Sequence, residues 1–367
     1  MCSSDLNMRA SGKDVIASVA VGFDVGARVG LSLDFSAVTE EGGLRFAPLS
    51  GLGWATFGAV ASSANLLNLS SEETANAFGI AGYSSPVPAI GRWGRHPSPK
   101  RFTKYAPYHF MGFLGLTAAL MAQKGYTGDM EILDGEEGYW KMAGSKSCNW
   151  DLMTGELGKK WWIGETSIKC FPACGNSSHS IDLFSRIIEK ERLSPDDIEE
   201  VTIGMPFFTT YLKESVYPKN LVDAQFSIPY SLTMLAHKVK RGYRWFTSET
   251  MNDPKVVAFF RKIRMVENRA GFVSMIEEIQ QKGRYIKLPT FVEVKVRGRV
   301  FRESCEFTKG DPWTPETRLT DEEVKEKFRD LCSDILPSGK VEGALDRIFA
   351  LEQISDVSTI IPCLVLK

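Results

Sequence analysis

A mainly helical domain with a smaller α+β unit inserted into it is the fold class this sequence predicts, on three observations. Up to about Met153 apolar residues recur at helical spacing without convincing period-two alternation. From Trp161 to Phe307 strand and helix patterns mix, and Ile198, Val201, Ile203 and Met205 read as one strand. Beyond Thr320 helical spacing returns without strands. The expected division is 13–160 as the first part of the helical domain, 161–310 as the inserted unit, and 311–367 as helices returning to the first, with a site between the two. A length of 367 residues favours more than one core.

The first element predicted is a buried helix over Asp14–Val29, entered without a cap from an unpatterned Met1–Gly12. So abrupt a start points to helices missing ahead of it, or to an opening dozen residues outside the fold. Trp54–Leu69 is a second helix whose inner positions (Ala55, Gly58, Ala59, Ala61) are small, which lets neighbouring helices approach closely and makes it central. Ser70 and Glu73 form a capping box that starts a third helix, running to Gly82. The proline-rich Tyr83–Pro107 is a long loop with a basic run (His96, Lys100, Arg101, Lys104), ordered by Trp93, Phe102 and Tyr105. A fourth helix, Tyr108–Lys124, stops at Gly125.

In the α+β region Trp161–Lys169 reads as extended and Ser178–Arg192 as helix. Tyr230–Lys240 and Pro254–Arg264 are helical, the second capped by Asp253. Phe291–Val296 and Val300–Phe307 flank Arg297–Gly298 as a hairpin. Thr320 and Glu323 form another capping box, opening Asp321–Leu336, and Val341–Ile354 follows as an amphipathic helix.

Hydrophobic residues at 43% and charged residues at 24% are ordinary globular usage. A net charge of -1 argues against nucleic acid and anionic membrane as partners, so any anion site must be local. Seven irregularly spaced cysteines fit a reducing, cytoplasmic compartment, and no stretch reads as a convincing membrane span.

Ser167–Asp182 is the densest run of reactive side chains. Pro172 and Gly175 turn the chain between an apolar entry and a helix, carrying Lys169 toward a helix N-terminus, where backbone amides and an ammonium would together hold a carboxylate. Cys170, Cys174 and His179 match no common zinc spacing, so no metal is expected; small buried apolar groups are the commoner role for such cysteines. A solvated surface lysine remains the alternative for Lys169.

Taken in order, several segments resemble the MmgE/PrpD family of 2-methylcitrate dehydratases and cis-aconitate decarboxylases. They are Gly22-Phe23-Asp24-Val25-Gly26-Ala27-Arg28, Ala55-Thr56-Phe57-Gly58-Ala59, Thr74-Ala75-Asn76-Ala77-Phe78-Gly79-Ile80-Ala81-Gly82, Thr103-Lys104, Gly125-Tyr126-Thr127-Gly128, Lys169-Cys170-Phe171-Pro172-Ala173-Cys174 and Phe226-Ser227-Ile228-Pro229-Tyr230. The resemblance implies a helical domain with an inserted lid, a homodimer, and a lyase of propionate catabolism acting on small tri- or dicarboxylic acids without metal or organic cofactor. It implies Lys104 and Lys169 as catalytic lysines, Cys174 lining the pocket, and Tyr230 reaching it from the lid. Where one family histidine would stand this chain has Leu49; a second, in a His-Pro-Gly run soon after the first lysine, is partly replaced by His109 in the substrate site, and His179 lies one place beyond a third. Dehydration of a 2-methylcitrate-like acid is the first expectation and decarboxylation of a cis-aconitate-like acid the second. A truncated or non-catalytic acid-binding member is the third.

Overall fold

The computed structural model describes residues 9–34, 36–39, 44–46, 53–85, 93, 98–105, 107–206 and 216–366. Helix α1, Gly12–Ser32, begins at a capping box in which Ser11 accepts from the Asp14 amide and Asp14 answers the Ser11 amide. The uncapped entry expected from the sequence is thereby corrected: an Asp takes the place usually given to Glu. α1 is long and apolar enough to cross a membrane by length and composition. It also buries the Asp24–Arg28 ion pair, at 2.6 Å, and packs along α2, Ala55–Leu66. A Cβ on Gly58 would stand 2.6 Å from the Gly22 carbonyl, so the crossing of these two helices depends on glycine. α3, Ser71–Tyr83, starts at the predicted Ser70–Glu73 box, and α4, Pro107–Gln123, packs on both α2 and α3 through Val60, Ala77, Ala81, Ala118 and Ala119.

Arg28 ties the end of this helical region to α1. Its guanidinium donates to the carbonyls of Gly155 (2.7 Å) and Lys160 (2.9 Å), while Asp24 accepts from the Trp162 amide at 2.8 Å. The C-terminal segment also returns to α1: the Gly12 amide donates to the Ile354 carbonyl and the Val357 amide to that of Ala10.

Strands are not confined to the middle of the chain. β1, Ser36–Val38, and β2, Leu44–Phe46, pair antiparallel inside a stretch expected to be helix and loop. Val38 and Leu44 lie against the core of the α+β region, so this ribbon belongs to that core by contact.

The larger sheet has four strands in the order β4-β3-β5-β6: β3 Glu200–Met205, β4 Ile263–Glu267, β5 Thr290–Val296 and β6 Arg299–Cys305. β5 and β6 form the predicted hairpin, with Arg297 (φ 49°) and Gly298 (φ 77°) both left-handed, as a two-residue turn requires. β3 pairs antiparallel with β5 and parallel with β4. β4 corrects the expectation of one helix over Pro254–Arg264, since the helix ends at Phe260 and the chain enters the sheet at Ile263. A parallel partner lies too far along the chain to leave a local signal. α5, Ser178–Lys190, lays Ile181, Leu183, Phe184 and Ile187 against Val201, Ile203, Val292 and Val294.

Two short helices carry the chain from this sheet toward the lysine-bearing segments. α6, Leu221–Gln225, is capped by Asn220, and α7, Ile228–Ala236, is capped by Ser227 with Pro229 in its first turn. α7 ends earlier than the expected Lys240, because Lys238 turns left-handed at φ 53°.

Candidate active site

Lys169 sits in the irregular stretch ahead of α5, exposed, with its Nζ donating to the Ala173 carbonyl at 3.2 Å. What seats this stretch is the turn at 308–311. The Ile168 amide donates to the Gly310 carbonyl at 2.8 Å, and the Ser167 hydroxyl to Asp311 at 2.6 Å. Gly310 has φ +99°, and a Cβ there would fall 2.0 Å from the Ile168 carbonyl oxygen; only glycine permits this approach. Further along, the Cys174 amide donates to the Gln225 carbonyl at 2.8 Å, and a 3-10 turn, Gly175–Ser177, leads into α5.

Lys104 arrives from the other side, at the end of a 3-10 turn over Phe102–Lys104. Its Nζ lies 5.3 Å from the ring centres of both Trp93 and Phe226, which meet edge to face at 4.9 Å. The Trp93 indole donates to the Arg101 carbonyl at 2.7 Å, so the ring is fixed by the loop that carries the lysine.

Lys104, Cys174 and Lys169 lie within electrostatic reach of one another. Burial pushes Lys104 below the ordinary lysine range; the Cys174 sulfur opposes this and the Lys169 cation adds to it. Burial likewise pushes the Cys174 thiol up, against the Asn176 amide, the two lysines and the Ser177 amide, all of which favour thiolate. Two lysines and two backbone amides therefore converge electrostatically on this one sulfur. The Tyr105 hydroxyl, beside Lys104, donates to the Gln225 side chain and is pushed up by burial and by Cys174.

The other expected residues fare differently. Tyr230 is fully buried in a core with Trp245, Met234 and Phe260, and its hydroxyl donates to the Trp245 carbonyl. This corrects the expectation that it reaches a pocket: the phenol proton is committed inside the fold. His109 stands exposed on the first turn of α4, its ring 4.1 Å from that of Phe110, and no described contact carries it to the lysines. His179 is buried with its Nε2 3.8 Å from Asp311, and burial holds its pKa below the usual histidine value. It lies behind the Lys169 segment as part of its support. Leu49 falls outside the described residues.

Sequence reading missed Phe226 as the second ring over Lys104, and took Trp93 only as an ordering aromatic. Their pairing joins residues from distant parts of the chain, and the Lys-aromatic spacing along it carries no signal. Among the described residues no cluster of three or more His, Cys, Asp or Glu could hold a metal.

Two family models match the chain, the MmgE/PrpD N-terminal domain over residues 4–150 and the MmgE/PrpD C-terminal domain over 171–351. The chain is also similar to a cis-aconitate decarboxylase-like protein of Aspergillus oryzae, 22% identical across 96% of this chain and 71% of that protein. Cis-aconitate decarboxylases of Mus musculus and Homo sapiens are 24% and 23% identical, each across 95% of this chain and 68% of its own length.

Proposed function

The chain belongs to the MmgE/PrpD family, and from that premise we propose that it removes carbon dioxide from a small unsaturated tricarboxylic acid of the cis-aconitate kind. The observation that carries the reading is that Lys104, set over the Trp93–Phe226 wall, and Lys169 both act electrostatically on Cys174. The names of the relatives reverse the order in which the motifs alone ranked dehydration and decarboxylation.

A polycarboxylate has to be held before it can react, and two lysines acting on one region can supply that hold. Lys169 keeps ammonium protons for a carboxylate after its one bond to Ala173. In decarboxylation the carbon–carbon bond to the leaving carboxylate breaks, its electron pair stays on carbon, and carbon dioxide departs. A proton must then reach that carbon. Lys104 suits this delivery, because partial burial makes its ammonium a readier proton donor than an exposed lysine and two rings flank it. Cys174, its thiol pushed up by burial, lines the site without acting as nucleophile. The same depressed basicity would let a neutral Lys104 take a proton beside a carboxylate, which keeps dehydration of a hydroxy acid as the second reading. A cytoplasmic homodimer working without organic cofactor completes the proposal; the six described cysteines are free thiols, as a reducing compartment requires.

The test is to offer cis-aconitate, 2-methylcitrate and citrate to the folded protein, following carbon dioxide release together with proton NMR of the product. Carbon dioxide evolved from cis-aconitate supports decarboxylation. Loss of water from a hydroxy acid without carbon dioxide transfers support to the second reading, and a folded protein inert toward all three acids overturns the lyase.

A further inference from the structure

Helix α6 and Phe226 stand between the segments that carry the two lysines. The Asp223 carboxylate, 8% exposed, accepts three hydrogen bonds: from the Lys100 amide at 2.7 Å, the Ser98 hydroxyl at 2.6 Å and the Lys219 amide at 3.0 Å. One residue of the same cap, Asn220, donates its side-chain amide to the Lys100 carbonyl at 2.9 Å. The loop 98–100 is thus held on both its amide and its carbonyl side. Four residues after Lys100 comes Lys104. At the far end of α6, Gln225 receives the Tyr105 hydroxyl on its side chain and the Cys174 amide on its carbonyl, and the next residue supplies the second ring over Lys104.

We infer that Asp223 is the positioning residue for Lys104, pinning the loop so that the following turn holds the ammonium over Trp93 and Phe226 and beside Cys174. A carboxylate suits the task because it is acceptor-only, and every group facing it is a donor. Asparagine would turn one of its oxygens into a donor, setting an NH2 against an N–H or a hydroxyl and releasing at least one of the three bonds. The loop then loosens, the lysine gains water, and the desolvation that lowers its pKa is relieved. The effect on turnover rests on the proposed reading of Lys104 as a working cation; the pinning itself does not.

The experiment is Asp223→Asn in the full chain, with lysines labelled by reductive 13C-methylation and Lys104 assigned through Lys104→Arg. The expected result is a cooperative melt, a Lys104 titration moved upward toward the ordinary lysine range, and a lysine-dependent limb of the pH–rate profile moved the same way. kcat/KM falls by roughly tenfold to a hundredfold, the scale on which small misplacements of a working group act. A variant that merely lost stability would leave the titration and the limb where they were, and that result overturns the inference. Should Asp223→Asn fail to fold, Ser98→Ala removes one donor and keeps the carboxylate; it is expected to move Lys104 in the same direction by less, and an unmoved Lys104 there is equally fatal. Because the titration is read without substrate, a protein inert toward every acid would sink the lyase reading while leaving this test decisive.

Discussion

Lys104 and Tyr230 stand in motifs of the same kind, and the fold treats them in opposite ways. Lys104 has its polar end among aromatic rings, a thiol and another cation. Tyr230 has its hydroxyl bonded to the Trp245 carbonyl and its ring packed in a buried cluster. A buried polar group whose bonds are met inside the fold contributes to stability and has little left for a ligand. Where a half-buried group's charge meets other charges and few hydrogen bonds, partial burial becomes a means of altering reactivity. The motif marks a position; the bonding at that position decides its use.

The largest effect that sharpens this contrast is expected at Lys169. Lys169→Ala should lower kcat/KM on the acid that the protein turns over by about a hundredfold or more, with an unchanged melting curve, since the side chain is exposed and makes one described bond. Next comes the support beneath it. Gly310→Ala forces a Cβ against the Ile168 carbonyl at positive φ, and should cost about 2–4 kcal/mol in a denaturant titration while displacing the Lys169 segment. On the core side, Tyr230→Phe leaves the Trp245 carbonyl without its donor; a loss of about 1–3 kcal/mol with turnover unchanged is the outcome to look for.

A smaller effect concerns the sign of a stability change. The folded value of Lys104 is lowered, so below it the native state bears the cost of a buried charge, and that cost is relieved as pH climbs from the folded value to the unfolded one. Lys104→Met should therefore melt slightly above the wild type at neutral pH, with the gap closing in alkaline buffer, even as it abolishes turnover. Smallest of all is Cys174→Ala, expected to stay within about threefold of wild-type kcat/KM because the raised thiol takes no bond-making role. Iodoacetamide labelling of native Cys174 should be correspondingly slow at neutral pH.

How much could be read from the sequence depends on the range of the interactions involved. The capping boxes at Ser70–Glu73 and Thr320–Glu323 and the Arg297–Gly298 turn were legible because each is complete within four residues. β4 was hidden by its parallel pairing with β3, and β1–β2 by their shortness. Lys104 and Lys169 were legible as positions through the family resemblance, whereas nothing in a linear reading could pair Trp93 with Phe226 or set Asp223 against Ser98, 125 residues away. Tyr230 misled because an Ile-Pro-Tyr helix start looks the same whether its tyrosine faces a ligand or a core.

The most direct trial of this division of roles sets Lys104→Ala beside Tyr230→Phe in one assay, with kcat/KM on the turned-over acid and the free energy of unfolding measured for both. The lysine variant is expected to lose activity by about a hundredfold or more while keeping its stability, and the tyrosine variant to lose stability while keeping its activity. A Lys104→Ala protein that turns over at the wild-type rate, or a Tyr230→Phe protein that is fully stable and inactive, would contradict it.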